Sequence, residues 1–164
     1  MKTLARIKIG DAKHLHLTPA MIVNPEEDFA DIIKRFARSP ELRGIFVADE
    51  TNHLLGVITR TDLLDWVRVK LGSDLGAPQT QLHQALRVVS LMHASTAGEV
   101  MHLNSHQAAV TLNDSLADAL KLMLKYDLIV LPIVDNDNHL IGELKLSELL
   151  ALAVEEGQLE SLAV

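Results

Sequence analysis

Hydrophobic positions along this chain fall into two recurring patterns: stripes with a period near 3.6 and short unbroken apolar runs. From Asn24 the segment NPEEDFADIIKRFAR offers Asn as N-cap and Pro25 at the first helical position. Phe29, Ile32, Ile33 and Phe36 then follow at the spacing that buries one helical face. GIFVADE, the polar stretch DETNH and LLGVIT come next and predict two paired strands joined by a tight turn. RTDLLDWVRVKL predicts a closing helix with Leu63, Leu64, Val67 and Leu71 on one side, stopped by Gly72.

The same order then returns. Gly56 in NHLLGVITRTD and Gly142 in NHLIGELKLSE lie 86 residues apart. Around the second copy, AAVTL reads as an opening strand. NDSLADALKLMLKYD carries Leu116, Ala119, Leu120 and Met123 at helical spacing, LIVLPIVD and LIGELKL read as paired strands around NDNH, and SELLALAVEE closes the unit. Pro132 inside the apolar run marks an edge or a bulge, because it cannot donate to a ladder. A β-α-β-β-α unit of about 50 residues is too small to bury both faces of its sheet. The predicted fold class is therefore α/β (α+β), two repeats packed by their sheets as a pseudo-twofold pair, with the strand-to-helix junctions around a shared cleft.

The resulting boundaries are an N-terminal segment 1–17, a first domain 18–72, a linker 73–98, a second domain 99–156 and a tail 157–164. TLARIKI near the start suggests an added strand. Within the linker, Leu82, Ala85, Leu86, Val89 and Met92 form an apolar stripe, fit either to pack on the pair or to offer a dimer or effector surface.

Composition narrows the function. A formal charge of −7 and one Trp, one Tyr and three Phe argue against a phosphate-neutralising or base-stacking nucleic-acid surface. No apolar run is long enough to span a bilayer or serve as a signal peptide, and there is no cysteine. A cytoplasmic protein is expected. The sequence has no G-x-S-x-G, no Walker loop and no cysteine nucleophile, so catalysis is not expected. His14 and His16, and His102 and His106, lie in irregular stretches without a third ligand, and His53 and His139 sit in matching turns. No metal site is assigned.

GVITRTD carries the chemistry. Gly56 leaves room for close approach, and Val57 and Ile58 put apolar surface on the two faces of the strand. Thr59 stands at the strand-to-helix junction, where unpaired N–H groups favour an anion. Asp62, three residues on, puts a carboxylate in the first turn of the helix. Thr59 and Asp62 equally form a capping box that satisfies the helix's own N–H groups. Both roles stay open, and they can coexist.

LPIVDNDNHLIG and GVITRTD, with the helices before and after each copy, make the chain resemble tandem cystathionine β-synthase (CBS) domains, the pair called a Bateman module, from Thr18 to Glu155. The resemblance implies a regulatory module, not an enzyme, with no required cofactor. Its ligand would be AMP, ADP, ATP or S-adenosylmethionine, its assembly a homodimer, and its output a signal to an effector protein in trans. It assigns Asp62 to the ribose and Thr59 and Thr61 to the phosphate. Ala108, Ala109, Leu128 and Ile129 from the opposite unit would face the base. A second site would use Thr18, Ala20, Lys145, Ser147 and Glu148, but GELKLSE departs from the pattern. Glu143 replaces an apolar residue, Lys145 stands where Thr59 stands, and Glu148 replaces Asp62. Lys145 suits either a phosphate or one of its neighbouring glutamates. The alternative function is a structural dimerisation or docking module without a small-molecule ligand.

Overall fold

A computed structural model describes residues 4–11, 21–39, 41–71, 89–101 and 105–155. In the first unit, β1 (Ile22–Val23), α1 (Phe29–Ala37), β2 (Ile45–Ala48), β3 (Leu54–Ile58) and α2 (Arg60–Leu71) follow the predicted order. A helical stretch at 89–93 and α3 (Ala97–Val100) lead to the second unit. There α4 (Leu116–Tyr126), β4 (Val130–Val134), β5 (Leu140–Lys145) and α5 (Leu146–Glu155) repeat the plan. The helical stripes are legible in the burial: Phe29 and Ile32 of α1, and Leu116, Ala119 and Met123 of α4, are buried.

In the first sheet β1 runs parallel to β2, and β2 antiparallel to β3. The second sheet pairs β4 with β5, and the opening strand expected over AAVTL shrinks to one parallel bridge, Val110 to Ile133. The cause is a single residue. Phe46, which faces Val57, donates its N–H to the Met21 carbonyl at 3.0 Å, whereas the matching place opposite Glu143 holds Pro132, which has no N–H to give.

The sheets meet face to face across Phe46, Leu54, Val57, Val130, Val134 and Leu140, all buried. Burying a large apolar side chain contributes about 1.5–3 kcal/mol, so this layer holds the units together. Gly44 lets it close, since a Cβ there would lie 2.6 Å from Val130 Cγ1. At the far end the two hairpin turns clasp each other. Asn52 and Asn138 adopt left-handed backbone (φ 67 and 65), a conformation Asn tolerates. Each donates its side-chain amide to the other unit, Asn52 to the Leu140 carbonyl at 2.7 Å and Asn138 to the Leu54 carbonyl at 3.0 Å. His53 and His139 stack between the turns with ring centroids 4.2 Å apart. The repeated Asn-His pair thus sits at the pseudo-twofold axis.

A second reciprocal device escapes any reading of periodicity. Residues 7–11 strap the second unit: Ile9 donates to the Asp114 carbonyl at 2.9 Å, Gly10 to Leu112 at 2.9 Å, and Leu116 to Ile7 at 3.0 Å. Residues 95–98, at the start of α3, strap the first unit in the same way. Ala97 donates to Glu27 at 3.0 Å, Gly98 to Pro25 at 2.8 Å, and Phe29 to Ser95 at 2.7 Å. The strand expected in TLARIKI is in fact a turn, one bridge from Lys8 to Ser115 and a 3-10 turn at Ile9–Asp11.

This strap corrects the start of α1. The Pro25 and Glu27 carbonyls are taken by Gly98 and Ala97, so the helix begins later, with Asp28 as N-cap accepting from Ala30 and Asp31. Asn24 caps only a turn, accepting from Glu26. The packed face of α2 also differs from expectation. Leu63, Trp66 and Val69 pack on the core, with Trp66 edge-on to Phe29 at 5.1 Å, and this rotation leaves Leu64 and Leu71 at 51% and 65% exposure. In the linker Leu91 is buried while Val89 and Met92 are exposed. Leu82, Ala85, Leu86 and Gly72 lie outside the described residues. No helix among the described residues is long and apolar enough to cross a membrane.

Candidate functional site

Strand β3 ends at Ile58, α2 begins at Arg60, and Thr59 lies between them. Asp62 is 2% exposed, and its Oδ2 accepts from the Thr59 amide at 2.8 Å and the Thr59 hydroxyl at 2.7 Å. The Asp62 amide donates back to Thr59 Oγ1 at 3.2 Å. This is the reciprocal capping arrangement. Thr111 and Asp114, at the same spacing, form the corresponding bonds at 2.6 and 2.9 Å in a turn remote from either junction, so the T-x-x-D geometry by itself is structural.

A narrow crevice opens beside this junction. Val57, Ile58, Thr59 and Arg60 form one wall, with Arg43 and Gly44 next to them, and residues 127–130 of the second unit form the other wall. It encloses about 320 Å³, open solvent at its mouth included. Arg60 and Asp127 approach to 3.9 Å across the rim with both side chains exposed, a weak, screened pair. Asp127 reaches the rim because α4 ends on it in left-handed backbone (φ 52). The lining combines two arginines, an aspartate, a hydroxyl and a helix N-terminus with apolar side chains at Val57, Leu128 and Ile129. Anionic groups suit the arginines and the helix N-terminus, and a flat apolar ring suits the apolar side chains.

At the matching β5–α5 junction, the Glu148 Oε2 accepts from the Lys145 amide at 2.8 Å, as Asp62 does from Thr59. Lys145 Nζ turns to Glu143 Oε1 at 3.2 Å, and Glu143 is 2% exposed.

The CBS domain model matches this chain twice, over residues 12–69 and 97–155. The chain belongs to the CBS domain family. An uncharacterised protein of Methanocaldococcus jannaschii, MJ1426, is 26% identical over 133 residues, 74% of this chain and 79% of its own length. CBSX2, solved in complex with AMP, superposes with a TM-score of 0.71 at 22% identity, covering 92% of this chain and 98% of that one; the same protein is also known in a structure from Arabidopsis thaliana. The CBS domain pair of MJ0100, solved with 5′-methylthioadenosine and S-adenosyl-L-methionine, has a TM-score of 0.61 at 16% identity, covering 92% and 98% of the two chains. At such identities the structural likeness speaks for the fold.

In this CBS pair the crevice brings together Val57, Ile58, Thr59, Leu128 and Ile129 of the residues picked from the sequence. The others stand elsewhere. Gly56 is buried in β3 opposite Val47, Thr61 is exposed on α2, and Asp62 is behind Thr59. Ala108 is buried in the second unit's core, and Ala109 packs between the sheets. Of the second-site residues, Ser147 is exposed, and Thr18 and Ala20 lie outside the described residues. Arg43, Gly44, Arg60, Asp127 and Val130 also line it, without a motif in the sequence that marks them. The repeat carries a signal for Arg43: Ile129 occupies in the second unit the place that Arg43 occupies in the first.

Proposed function

We propose that this CBS pair is a regulatory module that takes an adenine nucleotide or adenosyl compound in the Thr59 crevice and passes its occupancy to a partner protein in trans. The observation that carries the reading is that both units build the crevice, with Thr59 and Arg60 on one wall and Asp127, Leu128 and Ile129 on the other. A ligand held there couples the two units. Its phosphate would meet Arg60, Arg43 and the start of α2, and its base the apolar wall. Asp62 is too buried to reach a ribose while the junction is closed, so its first role is to hold Thr59, with the ribose contact following from local opening. AMP in CBSX2 and the adenosyl compounds in MJ0100 support this ligand class. The test is thermal stability with AMP, ADP, ATP and S-adenosylmethionine. A ligand at a hundred times its Kd stabilises by about 2.7 kcal/mol, and a flat response to all four rejects the reading.

A second reading, dimerisation or docking without a ligand, is favoured by the closing helices. Leu64 and Leu71 on α2, and Leu150 and Val154 on α5, are between 43% and 65% exposed. Apolar side chains exposed on both closing helices suit a second copy of the chain. Sedimentation of the wild type against Leu64→Lys/Leu150→Lys tests it: the reading requires a dimer that the double variant dissociates.

A further inference from the structure

The repeat gives the β5–α5 junction the place for a second crevice that matches the one at Thr59, but the two junctions carry different side chains. In the first, position 57 is a buried valine on the wall and position 59 a threonine. Their counterparts, fixed by the pairing of Val57 with Phe46 and of Glu143 with Pro132, are Glu143 and Lys145. The Glu143 side chain is 3% exposed, and Lys145, 32% exposed, directs its ammonium inward to it at 3.2 Å. The cation best placed to meet a phosphate is therefore already matched, by a carboxylate standing where the first crevice offers apolar surface to a base. An anionic ligand entering here must draw Lys145 away from a buried carboxylate and then sit beside that carboxylate. Both steps are unfavourable, because separating an ion pair at a buried carboxylate forfeits its Coulombic attraction and like charges repel at close range. Glu148, on the Lys145 amide at 2.8 Å, adds a second negative charge to the same junction.

We infer that the Lys145–Glu143 ion pair closes the second crevice to anionic nucleotides, so that each chain takes a single AMP, in the Thr59 crevice. The identity of the filled crevice rests on the nucleotide reading above; the closure rests on the ion pair alone.

Calorimetric titration of AMP into the full chain tests both parts. The wild type binds one AMP per chain. The opened variant Glu143→Val/Lys145→Thr, which gives the second junction the side chains of the first, binds two. The transplanted variant Val57→Glu/Thr59→Lys binds none. Melting curves confirm that each variant is folded, and the wild-type stoichiometry needs no variant. Two AMP per wild-type chain overturns the inference, as does a folded opened variant that still binds one or a folded transplanted variant that keeps its AMP. A wild type that binds none while the opened variant binds one discards the nucleotide reading of the Thr59 crevice and leaves the closure standing. No binding by either discards both.

Discussion

The hairpin turns and the strand-to-helix junctions occupy opposite ends of the same repeated frame, and they have fared differently. At the turns the two units are alike: Asn52 and Asn138 each reach across to the other unit, and His53 stacks on His139. The straps agree too, with Gly10 and Gly98 each bonded to a carbonyl of the unit it crosses. At the junctions the units part, Val57 against Glu143, Thr59 against Lys145, Asp62 against Glu148. Residues at the axis contact the opposite turn, His53 its own counterpart, so a change in either copy breaks a contact made between both. Residues facing a crevice touch only that crevice, and each can change alone.

The comparison can be broken most severely at Lys145. Lys145→Met takes the ammonium from Glu143 and is expected to cost up to about 3 kcal/mol in urea denaturation, the low end for a buried pair because Lys145 keeps some solvent. Glu143→Val/Lys145→Met should recover most of that loss; a double variant as unstable as the single one would show that the pair is not what Lys145 stabilises. Next comes Gly44→Ala, whose Cβ meets Val130 at 2.6 Å between the units. Overpacking of this kind costs about 1–3 kcal/mol, and an unchanged denaturation midpoint would mean the sheets separate more easily than their packing suggests.

Asp62→Ala and Glu148→Ala sharpen the contrast between junctions. Asp62 holds both the amide and the hydroxyl of Thr59, whereas at the other junction there is no hydroxyl to hold. The loss for Asp62→Ala is expected near 1 kcal/mol and should exceed that for Glu148→Ala. In calorimetry Asp62→Ala should also weaken AMP roughly tenfold to a hundredfold, since hydrogen bonds to charged groups contribute about 1.5–3 kcal/mol each, while Glu148→Ala leaves AMP affinity unchanged. The smallest effect is acid sensitivity at the turns. The Thr51 hydroxyl, with the His53 amide, holds the Asp49 carboxyl below its usual range, and the His139 amide does so for Asp135. A carboxyl depressed in the folded state stabilises fully above its unfolded value, near pH 4, and loses that contribution as pH falls through the folded value. The melting temperature should therefore drop on acidification below about pH 4, and less steeply in Asp49→Asn/Asp135→Asn.

What could be read from the sequence was whatever repeats with a helix or strand period. The buried faces at Phe29 and Ile32, and at Leu116, Ala119 and Met123, follow from spacing alone, as do the paired strands around each glycine. The straps could not be read, because their bonds join Ile9 to Asp114 and Ala97 to Glu27 across a long sequence separation and leave no local pattern. The start of α1 was misplaced for the same reason: Asn24 and Pro25 form a sound local start signal, overruled by a strap that claims the carbonyls. On α2, Leu64 and Leu71 carry the right hydrophobicity but the wrong rotation, fixed by where Trp66 meets Phe29. Of the crevice, the motif supplied the wall at Val57, Ile58 and Thr59, while Arg43 and Asp127 lie in connections whose position depends on how the two units dock.

Amide chemical shifts recorded while AMP is added to the isotopically labelled chain test the central claim most directly. The account predicts shifts at Thr59, Arg60, Leu128 and Ile129, carried to the Leu146 amide through its bond to the Ile129 carbonyl, with Ser147 and Glu148 unmoved. Shifts at Ser147 and Glu148, or none at Thr59 and Arg60 with AMP in excess, would contradict it.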